Sequence, residues 1–359
     1  MARVFNFSAG PPMLPESVLN RAAAEMLDYK GSGQSVMEMS HRSKVYEEII
    51  FGAQELFREV LGVPDNYKII FFQGGATLQF AGIPMNLLNG SGKADYVLSG
   101  QFSTNAYNEA KKYGDVKAVA SSKDKTFSYI PEVKKEDLTP DADYFYICQN
   151  NTIYGTRFTE LPDTNGVPLV ADVSSCFLSE PMDVSKYGLI FGGAQKNVAP
   201  AGLTIVIVRE DLIGNARPDT PTVMDYKIMA ENDSMKNTPP CWSIYICKLV
   251  LEWIKNLGGL SEIKARNEMK AKILYDFLDS SKMFHNPVNP KDRSMMNVTF
   301  VAPTDELNAQ FVKAAAEAGF VNLKGHRSVG GMRASIYNAM PIEGVEKLVE
   351  FMKAFEAAN

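Results

Sequence analysis

From Tyr67 onward the chain alternates short apolar runs with stretches of helical spacing. Residues 68–72 read as a strand, Gly74-Gly75 turns the chain, and a helix follows over about 77–88. A strand at 95–99 and a helix at 104–113 repeat the alternation. Further strands are predicted at 116–120, 143–148, 168–173, 188–191 and 203–208. Many of these runs are continuously apolar, which suits strands covered on both faces. The pattern therefore predicts an α/β fold with a mostly parallel seven-stranded sheet between helices. Beyond Gly258-Gly259 the rhythm changes. Helices are expected at 242–256, 260–280, 305–318 and 342–357, with strands at 297–301 and 332–337. The expected organisation is an N-terminal arm (1–15) that packs with the small domain, a large domain (16–258) and a small α+β domain (259–359).

Composition narrows the function class. The chain has 359 residues, 45% hydrophobic and 22% charged, ordinary for a globular protein with a sizeable core. Its net charge of −5 gives no reason to expect nucleic acid or a membrane as partner. No apolar run approaches a membrane span, and the N-terminus lacks the apolar core of a secretory signal. Cys148, Cys176, Cys241 and Cys247 show no CxxC spacing and read as reduced structural thiols of a cytoplasmic protein.

Two glycine-rich motifs are false leads. Gly90-Ser91-Gly92-Lys93 lacks the first glycine of a phosphate loop, and Ala94 follows the lysine, so it reads as a turn. Gly31-Ser32-Gly33 has no preceding strand and no third glycine. Gly74-Gly75-Ala76-Thr77 is different, because it follows a strand and opens a helix, where free N–H groups and the helix dipole favour an anion. A plain strand-to-helix turn is the competing explanation. The sharpest signal is Asp172 at a strand end with Lys196 twenty-four residues on, after the next strand and Gly192-Gly193-Ala194. An acid and a lysine so placed suit pyridoxal 5'-phosphate: the lysine binds the aldehyde and the acid keeps the pyridine nitrogen protonated. Of three histidines, two stand in His41-Arg42 and His326-Arg327, with Arg333 nearby. Such groups suit a substrate with more than one anionic end, and a solvated basic surface is the bland alternative. No histidine pairing with metal-ligand spacing occurs.

Over nearly its whole length the chain resembles the phosphoserine aminotransferases, a family of the class V, fold-type I pyridoxal-phosphate enzymes. The likeness rests on Asn6-Phe7-Ser8-Ala9-Gly10-Pro11, Ser40-His41-Arg42, and Gly192-Gly193-Ala194-Gln195-Lys196-Asn197. It continues in Pro200-Ala201-Gly202-Leu203-Thr204, Asn237-Thr238-Pro239-Pro240, and the block from Lys324 through His326-Arg327 to Arg333. The resemblance implies that Lys196 carries the cofactor as a Schiff base and Asp172 pairs with the ring nitrogen. It implies that Thr152 bonds the ring oxygen and that Ala76, Thr77 and Gln195 hold the phosphate. Asn237 and Thr238 would join them from the second subunit of a homodimer. Arg333 would take the substrate α-carboxylate, and His41, Arg42, His326 and Arg327 its distal anion. Two positions depart from the family pattern: Phe102 stands where a stacking tryptophan is usual, and Ala76-Thr77 where Gly-Arg is frequent.

The implied reaction is amino transfer between L-glutamate and 3-phosphohydroxypyruvate, giving O-phospho-L-serine and 2-oxoglutarate in serine biosynthesis. The family also implies 4-phosphohydroxy-L-threonine as a substrate, in pyridoxal phosphate synthesis. Two rivals stand beside it: another class V enzyme, such as a cysteine desulfurase or a small-substrate transaminase, and a non-catalytic binding protein on the same fold.

Overall fold

The structure is a computed structural model that describes residues 3–359. A two-residue strand β1 (Phe5–Asn6) and helices α1 (Glu16–Ala24) and α2 (Lys44–Leu61) precede the alternating region. The sequence pattern assigned no element before residue 67, yet α2 carries ordinary helix signals. The side chain of Ser43 caps its N-terminus by accepting from the Tyr46 N–H, and Gly62 ends it with φ 64°. Tyr46, Ile49, Ile50, Ala53, Phe57 and Leu61 form its buried stripe.

The alternating region follows as β2 (Tyr67–Phe72), α3 (Gly75–Leu87), β3 (Lys93–Leu98), α4 (Gln101–Ala110) and β4 (Asp115–Ser121). Then come β5 (Tyr144–Cys148), the short β6 (Asn150–Asn151) and β7 (Thr156–Arg157), β8 (Leu169–Asp172), β9 (Leu189–Gly193) and β10 (Thr204–Arg209). Seven of these make one sheet in the order β2-β10-β9-β8-β5-β3-β4. Only β10 runs against its neighbours, and every other pair in the run from β9 to β4 is parallel. The alternation of side chains along each strand divides the core between two faces. Ile69, Phe71, Ile147, Ile190, Ile205 and Ile207 face α2 and α6 (Cys241–Asn256), by way of α2 residues such as Phe57. Ile70, Phe72, Tyr144, Tyr146, Phe191 and Val206 face α3, α4 and α5 (Tyr226–Glu231). The result is a three-layer α/β/α unit.

The chain continues through α7 (Leu260–Ser280), β11 (Asn297–Phe300), α8 (Asp305–Glu317), β12 (Phe320–Val321), β13 (Met332–Ser335) and α9 (Ile342–Ala358). β11 and β13 pair antiparallel, and β1 pairs in parallel with β12. Phe7 is fully buried in the cluster formed by Leu274, Phe300, Phe311 and Leu348. Among the described residues, no helix is long and apolar enough to cross a membrane.

The two glycine motifs set aside on sequence grounds are turns. At the first, the N–H groups of Gly90, Ser91 and Gly92 all donate to the Asp143 carboxylate, at 3.1, 2.7 and 2.9 Å, so the chain fills its own anion nest.

Phe57 anchors α2 to the sheet, stacked on Phe177 with centroids 5.7 Å apart and tilted against Phe71. Phe57→Ala should destabilise the chain by roughly 3–5 kcal/mol, because a cavity of ring size replaces those contacts. Chemical denaturation followed by circular dichroism checks this, and an unchanged midpoint would contradict the packing.

Candidate active site

Five chain segments leave the same edge of the sheet, the carboxyl ends of β2, β3, β5, β8 and β9. In an open α/β sheet this edge is where ligands bind. Gly74 to Thr77 follow β2, Gly100 to Phe102 follow β3, and Asn150 to Thr152 follow β5. Asp172 closes β8, and Lys196 lies in the connection from β9 to the reversed strand β10. The sheet register sets Cys148 opposite Asp172, and Asp172 opposite Phe191.

Lys196 is held by a compact turn. Ala194 N–H donates to Leu203 O at 2.9 Å, and the N–H groups of Val198 and Ala199 both donate to Ala194 O. Gly192 leaves room for the chain after β8: a Cβ there would lie 3.1 Å from the Phe177 ring and 3.3 Å from Ser174 Cα, a tight fit. The Lys196 amine donates to Thr152 Oγ1 at 2.6 Å and lies 5.3 Å from the centroid of the Phe102 ring. Asp172 is buried, and one of its oxygens accepts from the Ser174 N–H at 2.9 Å.

Burial dominates the electrostatics of both groups. It lowers Lys196 to about 8, against the opposing pull of Asp172, while Arg333 pushes it the same way as burial. Burial also raises Asp172, although its hydrogen bonds from Ser174 and the Lys196 charge act against the shift. Thus each group is less readily charged than in water, despite the other's presence.

Arg333 projects from β13 and reaches the same place. Its Nη1 donates to Thr152 O at 3.2 Å, and its buried Nε has no partner among the described residues. Thr152 therefore touches both Lys196, through its hydroxyl, and Arg333, through its carbonyl. His326 is part-buried, with Nδ1 2.7 Å from Ser328 Oγ, and the charges of Arg333 and Arg327 assist burial in lowering it.

The remaining predicted residues divide into two groups. Ala76 and Thr77 stand in the first turn of α3, whose N-terminus has no side-chain cap. Gly74 precedes them with φ 87°, and a Cβ there would meet Leu78 Cδ2 at 2.5 Å, so only glycine fits. Gln195 folds its side chain back over Gly193. His41, Arg42, Asn237, Thr238 and Arg327 make no hydrogen bond to Lys196, Asp172 or Arg333. Arg42, Asn237, Thr238 and Arg327 are exposed, and His41 has a buried Nε2 with no partner among the described residues. Thr238 nevertheless lies near the start of α3, since its carbonyl accepts from the Gln73 side chain at 3.0 Å.

One contributor was not foreseen. Gly10 approaches the lysine closely: a Cβ there would stand 3.3 Å from Gln195 O and 3.4 Å from Lys196 Cγ. The Gly10-Pro11 motif signals a turn, but nothing in its spacing says what it turns against.

These features fit pyridoxal phosphate. A buried carboxylate beside a desolvated amine suits a ring whose nitrogen must carry a proton, the Phe102 face is available for stacking, and an uncapped helix N-terminus suits a phosphate. They do not fit a thiol-based reaction. Burial raises Cys148 and Cys176, so neither is readily ionised to the nucleophilic thiolate.

Comparison with known proteins agrees with the geometry. The family model for aminotransferase class-V spans residues 4–348. A phosphoserine aminotransferase of Bacillus cereus is 53% identical over 359 residues, covering 100% of both chains. The solved phosphoserine aminotransferase of Bacillus circulans subsp. alkalophilus superposes with a TM-score of 0.96 at 46% identity, covering 99% of each chain. The PLP-bound phosphoserine aminotransferase of Trichomonas vaginalis gives 0.92 at 41% identity, covering 98% of this chain and 100% of that one. With such likeness over its full length, the chain is an aminotransferase of pyridoxal-phosphate fold type I and belongs to the phosphoserine aminotransferase family of the class-V aminotransferases.

Proposed function

We propose that the chain transfers an amino group between L-glutamate and 3-phosphohydroxypyruvate, giving O-phospho-L-serine and 2-oxoglutarate. The observation that carries this reading is the desolvated Lys196 amine, hydrogen-bonded to Thr152 and flanked by Asp172 and Arg333. Pyridoxal 5'-phosphate supplies the electron sink that makes the substrate Cα proton removable.

Lys196, Asp172, Thr152 and Phe102 would hold the cofactor ring. Ala76, Thr77 and Gln195 would hold its phosphate, with Asn237 and Thr238 contributed by a second copy in a homodimer. Exposure of Asn237 and Thr238 supports that assignment. Asp172 would keep the ring nitrogen protonated, a task suited to a buried carboxylate whose other donors come from Ser174. With cofactor and substrate bound, the free Lys196 amine would be the group placed to accept the substrate Cα proton and to donate that same proton back when the product forms. An amine near 8 is well matched to both acts at neutral pH. Arg333 orients the substrate by binding its α-carboxylate, for which its unpartnered Nε supplies a donor.

Both substrates carry a distal anion, a carboxylate on one and a phosphate on the other. His41, Arg42, His326 and Arg327 would receive it. A group of separate cations tolerates anions of different shape better than one fork does. His41 and Arg42 make no hydrogen bond to Lys196 within the chain, which supports their donation across the dimer. Residues 259–359 act on this reading as the small domain that carries Arg333, with 1–15 as an arm packed on it.

Lys196→Ala should lower turnover of glutamate with 3-phosphohydroxypyruvate by at least about 10²–10⁴-fold. A steady-state assay checks this, and wild-type turnover would reject the mechanism. Arg42→Ala should lower kcat/KM for phosphoserine by roughly tenfold or more while changing that for alanine much less. Equal losses for the two amino acids would remove Arg42 from the anion receptor.

A further inference from the structure

We propose that the segment 336–338, held by Lys270 at its Ile336 and Tyr337 carbonyls and by Asn267 at the Asn338 side chain, is a polar latch that positions Arg333 against Lys196. The inference rests on the reading of Arg333 as carboxylate receptor for its effect on substrate, and on geometry alone for its effect on the lysine.

Asn267 and Lys270 stand one turn apart on α7, with 0% and 1% exposure. Lys270 Nζ donates to Ile336 O at 3.0 Å and to Tyr337 O at 2.6 Å, and no acid pairs with it among the described residues. Burial, aided by the Arg266 charge, lowers this amine to about 7. Asn267 Nδ2 donates to Asn338 Oδ1 and to Ser179 O, both at 2.9 Å. Asn338 Nδ2 in turn donates to Leu178 O at 2.8 Å, and its N–H donates to Asn197 Oδ1 at 3.0 Å. The segment 336–338 is thereby tied to α7 on one side. On the other it is tied to the loop after Asp172 and to the residue next to Lys196.

This segment is the direct continuation of β13, which carries Arg333. Ile336 N–H donates to Met296 O at 2.8 Å, so β13 enters the latch already fixed beside β11. A buried amine without an acid is costly, and an apolar side chain could fill the same space more cheaply. Apolar contact is non-directional, however, whereas five hydrogen bonds to residues 336–338 fix where the strand's continuation lies. The position fixed is that of Arg333, whose charge is felt at Lys196.

The test uses Asn338→Ala in the full-length chain. In the holoenzyme, KM for the amino-acid substrate should rise roughly tenfold with a smaller change in kcat, as expected when a receptor is misplaced by about an ångström. In the cofactor-free chain, the pH midpoint for acylation of Lys196, read by peptide mass spectrometry, should rise above the wild-type value near 8. The groups acting on that amine are Asp172, Cys148, Arg333 and Cys176, and withdrawal of Arg333 removes a charge that lowers it. In an Arg333→Ala background the same substitution should shift neither quantity, since the latch acts through Arg333. Lys270→Met serves as a second variant if Asn338→Ala does not fold. The proposal is overturned if the variants lower only the melting temperature, or if their effects persist undiminished without Arg333. If Arg333→Ala leaves KM unchanged, the receptor reading fails, and the acylation midpoint alone then decides for or against the latch.

Discussion

Bringing a lysine amine out of water beside a carboxylate costs more here than their attraction recovers, and the site is arranged around that imbalance. Lys196 is lowered and Asp172 raised, each by burial, although each opposes the other's shift. Mutual stabilisation alone would have shifted both in the opposite directions. The sheet enforces the arrangement. β8 and β9 are parallel neighbours, so the acid at the end of one and the turn after the next must emerge side by side. The reversal of β10 then folds the connection back across the edge and holds the lysine there.

The other contacts serve this pair. Thr152 grips Lys196 with its hydroxyl and Arg333 with its carbonyl, so one residue after β5 joins the sheet's lysine to an arginine from β13. Gly10 brings the N-terminal segment against the lysine side chain, while Phe7 is buried among α7, α8 and α9. The groups proposed to transfer the proton and to anchor the substrate therefore come from elements far apart in sequence. A polar hub at Asn338 is well placed to keep them in register.

Much of this was legible in the sequence, and the reasons differ by residue. The seven sheet strands were readable because strands covered on both faces are continuous apolar runs. Asp172 and Lys196 stood out because an acid and a lysine so placed match the two different needs of one cofactor, and neither alone would have been persuasive. Helix α2 was overlooked although Ser43, Gly62 and the stripe from Tyr46 to Leu61 mark it plainly. Other features could not be read from the chain at all. The approach of Gly10 to Lys196 and the joint grip of Thr152 depend on tertiary contacts that leave no periodicity. Asn338 looks like any loop asparagine until α7 is packed against it. The roles proposed for Asn237 and Thr238, and the placing of His41 and Arg42 across a dimer, rest on family likeness, because spacing within one chain carries no signal for a site shared between two.

The central claim is that burial, moderated by Asp172, sets the lysine's proton affinity. It is tested most directly by the pH dependence of Lys196 acylation in the cofactor-free chain, measured by peptide mass spectrometry for wild type and Asp172→Asn. The account predicts a wild-type midpoint of about 8 and a lower one in the variant, because removing the carboxylate removes the charge that raises the amine. A wild-type midpoint at the ordinary lysine value near 10.5, or a variant midpoint above that of wild type, would contradict it.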